Sequence, residues 1–138
     1  MSKTVATVAA PSGTINIREG FTSITGDDLG TKKRVFNALA TAAKLDDNLG
    51  KSIFLVDVLV QPRDSEPDEK TGEIDSYLSI TMLDADGTAY NAGSKGLANS
   101  MENLLAVYGH PSTWAEPLEV QASGRRNDKG TYFVLEVM

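Results

Sequence analysis

The chain has 138 residues, 41% hydrophobic and 23% charged, enough for one domain whose core needs neither a disulfide nor a structural metal. It has no cysteine and one histidine, His110, which excludes thiolate zinc sites, thiol nucleophiles and clusters of imidazole ligands. The net charge of −6 is local: residues 63–87 hold two basic and eight acidic side chains, so a basic groove can coexist with an acidic loop elsewhere on the surface.

Residues 1–31 are rich in Thr, Ala, Gly and Ser and read as an N-terminal arm, with Thr14-Ile15-Asn16-Ile17-Arg18 alternating as a short strand would. Residues 32–138 read as the domain proper. Lys32 to Leu39 is predicted as a strand, followed by a loop at Asp46-Asp47-Asn48 and Gly50. Ser52 to Val60 is the strongest strand, with Phe54, Val56, Val58 and Val60 on one face as core and Pro62 ending it. The segment Arg63 to Glu73 is a solvated acidic loop without the glycine and glutamate spacing of an EF-hand. Ile74, Ser76, Leu78, Ile80 and Met82 alternate with Asp75, Tyr77, Ser79 and Thr81 as a half-buried strand. Asp84-Ala85-Asp86-Gly87 turns the chain into a second short strand around Ala89-Tyr90-Asn91.

After Ser94, an N-cap, Leu97, Met101, Leu104, Leu105 and Tyr108 recur at helical spacing until Gly109 and Pro111. This is the one predicted helix. Leu118 to Ala122 and Thr131 to Val137 then flank a basic loop, Ser123 to Gly130, in a closing hairpin. Trp114, between two prolines, reads as a lid over one barrel end. No apolar run approaches the roughly 20 residues that cross a bilayer, and Met1-Ser2-Lys3-Thr4-Val5-Ala6 leads into no long apolar core of a signal peptide. A soluble, cytoplasmic protein is expected.

Strands interrupted by one helix after the third-strand hairpin give an all-β fold with one helix, an OB-fold-like five-stranded Greek-key barrel. Such barrels bind oligonucleotides across strands 2 and 3 and the loops L12 and L45. Lys44 and Lys51 fall in or beside the expected first of these loops, and Arg125, Arg126 and Lys129 in the second. Tyr77 lies on the polar face of its strand, where its ring can stack on a base or pair across strands. Tyr132 faces opposite to Phe133, which fits the core, and Tyr90 can face either way. With Lys33 and Arg34 on the first strand, the expected DNA-contacting set is Lys33, Arg34, Lys51, Tyr77, Tyr90, Arg125, Arg126, Lys129 and Tyr132. His110 has no partner for nucleophilic catalysis. No cofactor, metal or catalytic residue is expected, since Asp84 and Asp86 have turn reasons to be where they are.

Two stretches, Asp86-Gly87-Thr88-Ala89-Tyr90-Asn91-Ala92-Gly93-Ser94-Lys95 and Lys129-Gly130-Thr131-Tyr132-Phe133-Val134-Leu135, resemble the small single-stranded DNA-binding proteins of bacteriophages that replicate by protein priming. The Gly50-Lys51-Ser52-Ile53 strand entry is also similar, and the resemblance runs from Lys33 to Met138. It implies an OB-fold that coats and protects displaced single strands during phage replication in the host cytoplasm, independent of sequence. The basic residues Arg125, Arg126 and Lys129 and the exposed Tyr77 would form the DNA surface. The alternative is a virion or assembly protein using a similar barrel for protein contacts. The N-terminal arm, through an Ile15/Ile17 strand, is expected either to support self-association by strand addition or to pair within its own barrel.

Overall fold

The computed structural model describes residues 15–128 and 130–138. Among them the chain is mostly β, with strands β1 (Phe21–Thr22), β2 (Ala43–Lys44), β3 (Ile53–Asp64), β4 (Ser76–Asp84), β5 (Ala89–Ala92), β6 (Leu118–Asn127) and β7 (Gly130–Val137). Two α-helices accompany them, α1 (Leu29–Thr41) and α2 (Lys95–Tyr108). One sheet in the order β2-β5-β4-β3-β6-β7, with β1 added to β3, curls into a half-barrel. Neither helix is long and apolar enough to cross a membrane.

The predicted strand at Lys32 to Leu39 is instead α1. Its start is set by Asp28, whose carboxylate accepts the Thr31 N–H at 3.1 Å and the Thr31 hydroxyl at 2.7 Å, an N-cap that holds Asp28 well below the usual carboxylate range. Its apolar residues Val35, Ala38, Leu39 and Ala42 recur at helical spacing and pack with Ile24, Leu59, Leu83 and Ala89 in a core on the sheet's outer face. The expected boundary between arm and domain at residue 31 therefore falls inside a helix.

β3 carries two further corrections. Its pairing with β4 shifts register between Leu55 and Asp57, and this bulge moves Phe54 to the surface, 45% exposed, while Leu55, Val58 and Val60 enter the inner core. Pro62 does not end the strand, which runs to Asp64 with Pro62 opposite Leu78. Its ring carbon Cδ faces the Gly20 side, so the missing N–H costs no bond to β4.

The inner core gathers Leu45, Ile53, Leu55, Val58, Ile80, Met82, Tyr90 and Val120 from the sheet side and Leu97, Met101 and Leu105 from α2. Ile17 is fully buried among them although no strand forms at residues 15–18; Thr14 lies outside the described residues. The Ser94 hydroxyl caps α2 by accepting the Leu97 N–H at 3.2 Å, and Gly109, at φ 80°, ends it. Trp114 packs on the inner core while its indole N–H donates to the Tyr108 carbonyl at 3.0 Å.

α2 covers the outer edge of β7. The Leu135 N–H donates to the Ser100 hydroxyl at 3.2 Å, and a Cβ on Gly96 would stand 2.4 Å from the Phe133 carbonyl oxygen. Only glycine lets the helix start rest on that backbone. The closing hairpin is tighter than its composition suggests, because β6 runs to Asn127 and pairs there with Gly130. Arg125 and Arg126 are thus strand residues rather than loop residues.

Candidate nucleic-acid interface

The start of α2, the end of β5 and the first half of β7 meet at one end of the half-barrel. Tyr77, opposite Arg63 in the β3–β4 ladder, lays its ring against Gly93, where a Cβ would come within 2.9 Å of two ring carbons. The ring is half-buried, and a Cβ at this position would force it to shift. Beside it a hollow of about 310 Å³ is lined by Arg18, Tyr77, Lys95 and Asn99. Gly93 also lines a second hollow, of about 390 Å³, with Lys44, Asp46, Asn91 and Phe133. Tyr132 is 37% exposed, and its Cβ lies 3.2 Å from where a Cβ on Gly96 would sit.

Tyr77 thus rests on Gly93 and Tyr132 stands beside Gly96 three residues on, while Phe133 packs on the inner core from the other face of β7. Lys44, Arg63 and Lys95 are exposed along the same path, and Arg125 stands opposite Tyr132 across the hairpin. The adjoining sheet face is polar. Asn91 donates from its amide nitrogen to the Ser79 and Thr81 hydroxyls, each at 2.9 Å. Ser79 and Thr81 are buried and serve the sheet, so what the region can offer a nucleic acid is its exposed ring faces for stacking and its exposed cations for phosphates.

Of the residues expected from sequence, Tyr77, Arg125 and Tyr132 share this region. Arg126 is exposed one residue on, facing the other side of the hairpin, and Lys129 lies outside the described residues. The Arg125 guanidinium lies 3.5 Å from the Glu136 carboxylate, an exposed pair that leaves it available to a phosphate.

Others are placed differently. Lys33 is exposed on α1, away from the hairpin. Arg34 donates to Asp57 at 2.6 Å, and Asp57 also accepts the Ser23 hydroxyl at 2.8 Å, so Arg34 ties α1 to the sheet. Tyr90 is 1% exposed, which leaves no ring face for a base. Lys51 stands over that ring at 5.5 Å from its centre. Hydrogen bonding and charge attraction to the Tyr90 side chain, with lesser help from Asp86 and Asp84, raise its pKa above the ordinary lysine value. Lys51 precedes β3 whereas Tyr77 pairs at its far end, so the two do not belong to one short path.

The strand reassignment also moves the loops. Lys44 and Lys51 lie before β3, and the β3–β4 connection is the acidic segment 65–75. It is ordered: Ser65 donates to the Asp75 carbonyl at 2.8 Å, and Asp68 accepts the Lys70 and Thr71 N–H groups at 2.8 and 3.0 Å. Those backbone bonds, Thr71 first, lower the Asp68 pKa. Asp84 and Asp86 accept backbone N–H groups of Phe54, Asp86 and Thr88, and the Thr88 bond lowers the Asp86 pKa. Both carboxylates serve the turn.

Phe133 packs against the inner core, as its phase with Leu135 predicts, whereas sequence reasoning passed over the exposed Arg63 and Lys95. The available signal was the pair Gly93 and Gly96 at the entrance of an otherwise regular helix, a mark of close approach.

A family model described as phage single-stranded DNA-binding protein matches residues 14–137. No curated protein and no solved structure matches the chain.

Proposed function

The chain belongs to the Phi29-type family of phage single-stranded DNA-binding proteins, and from that membership we propose that it coats and protects displaced single strands during phage replication. It does so independently of sequence, without catalysis, in the host cytoplasm. The observation that carries this reading is the half-buried Tyr77 ring standing against Gly93, with the exposed Tyr132 beside Gly96 three residues on. Stacking is indifferent to sequence because every base has a π-face.

The strand order supports an OB-fold. Taken in chain order, β3, β4, β5, β6 and β7 are five principal strands, α2 follows the third, and their order in the sheet is third, second, first, fourth, fifth. In that frame the acidic segment is L12, the tip of the β6–β7 hairpin is L45, and Tyr77 lies on the second strand, on the face an OB-fold uses. Tyr77, Tyr132, Arg125, Arg126 and Lys129 form the proposed DNA surface, with Lys33 on a neighbouring element. Strand addition through Ile15 and Ile17 is not part of the reading, since residues 15–18 form no strand and both side chains pack into the chain's own core.

Competition between single-stranded and duplex oligonucleotides of mixed sequence tests the reading. Single strands are expected to win regardless of base composition, with log K falling against log salt by about 0.7 per phosphate neutralised. Equal affinity for the two forms, or no binding at low salt, contradicts it.

A further inference from the structure

On the outer face of the sheet, α1 and the paired strands β1 and β3 bound an open groove of about 680 Å³. Phe21, Ile24, Lys32, Phe36, Leu59 and Gln61 are among its lining residues. Phe36 is 69% exposed, so its ring contributes little to the fold and presents a free face. Lys32 precedes it by one helical turn, which places an ammonium and a ring on the same side of α1. Lys33 adjoins them.

An apolar helix face alone would accept many partners. Here charge and continuity select one. Lys32, the one charged residue lining the groove, complements a phosphate. Gln61, on the wall of the groove, pairs with Ser79 in the ladder and is the diagonal neighbour of Tyr77, a separation of about 7–8 Å. The groove therefore runs into the face that carries Tyr77. The bond from Arg34 to Asp57, and that from Ser23 to Asp57, hold α1 and the preceding segment on the sheet, so the groove is formed before any ligand arrives.

We propose that this groove is a second single-strand subsite, in which one unpaired base stacks on Phe36 and Lys32 contacts the adjoining phosphate. The inference rests on the single-strand binding proposed above. A strand crossing Tyr77 continues over Gln61 into the groove, which lengthens the occupied stretch beyond the Tyr77 face.

The test uses the full chain and homopolymeric single strands, with Phe36→Ala, Phe36→Leu, Phe36→Tyr and Lys32→Gln, each verified as folded by its melting curve. Phe36→Ala and Phe36→Leu are both expected to lose roughly 5- to 150-fold in affinity, while Phe36→Tyr stays within about twofold of wild type. Lys32→Gln is expected to reduce the salt slope by about 0.7. Retained affinity in Phe36→Ala, or an unchanged slope in Lys32→Gln, overturns the subsite. Retention in Phe36→Leu alone overturns stacking, since leucine keeps the apolar surface and lacks the π-face. If Phe36→Ala instead lowers the mass of the assembly by light scattering while affinity for a short oligonucleotide is unchanged, the groove is an interface between copies of the chain and the subsite falls. A wild-type chain that binds no single strand fails the proposed function itself, a result distinct from wild-type binding that ignores Phe36.

Discussion

Replacing Tyr77 with alanine is expected to weaken single-strand binding by about 1–3 kcal/mol, roughly 5- to 150-fold, while leaving the melting temperature nearly unchanged. The ring lies half-buried against Gly93 on the outer face of β4, apart from the inner core that holds Leu78, Ile80 and Met82. Tyr77→Phe keeps the π-face and is expected to bind within about twofold of wild type. Fluorescence or gel titrations of the two variants separate the accounts: equal losses in both point to a hydrogen bond through the hydroxyl, and no loss in either removes Tyr77 from the interface. Gly93→Ala offers an independent check, because its Cβ would meet the ring at 2.9 Å and displace it.

Ile17→Ala is expected to destabilise the protein by about 2–5 kcal/mol, the usual cost of emptying a fully buried aliphatic site. Ile17 has no exposed surface and joins the inner core with Leu45, Leu55, Val58 and Met101. A chain beginning near Thr31 loses Ile17, Phe21 and Ile24 together, along with the Asp28 cap and the β1 pairing to Leu59 and Val60. Its melting transition is expected to collapse. Thermal denaturation of both variants checks this, and a truncated chain that melts like wild type would return residues 15–30 to the status of a dispensable arm.

The strands richest in β-branched residues and the α2 helix were legible because each signal was local: alternation in Leu78, Ile80 and Met82, and the Ser94 cap with helical spacing up to Gly109. α1 was misread because its basic run, Lys32 to Arg34, contributes no hydrophobic period. The informative residues were Asp28 and Thr31 before it and the Val35, Ala38, Leu39 and Ala42 stripe. That error propagated, since counting a strand that is not there made Lys44 and Lys51 part of the first inter-strand loop, whereas they precede β3 and the β3–β4 connection is the acidic segment 65–75.

The bulge between Leu55 and Asp57 depends on tertiary pairing and has no signature in composition, so the inward face of β3 was reversed at Phe54. The outward phase of Tyr77 and Tyr132 was legible from strand pattern. Their seating on the start of α2 was not, because it depends on α2 resting on β7 at Gly96 and on Tyr77 resting on Gly93. Tyr90 shows the limit of phase arguments for a short strand: Ala89–Ala92 has four residues, and its tyrosine turned inward.

The central claim is that a single strand runs past Tyr77 and Tyr132 at the start of α2. Photo-cross-linking with a single strand containing halogenated uracil, followed by peptide mapping, tests it most directly. Tyr108 and Trp114 serve as internal controls, because Tyr108 ends α2, about 20 Å along its axis from the start, and Trp114 follows it and bonds to its carbonyl. Adducts at Tyr77 and at Tyr132 are the predicted result. Adducts confined to Trp114 and Tyr108, with the Tyr77 and Tyr132 peptides unmodified, would contradict the account.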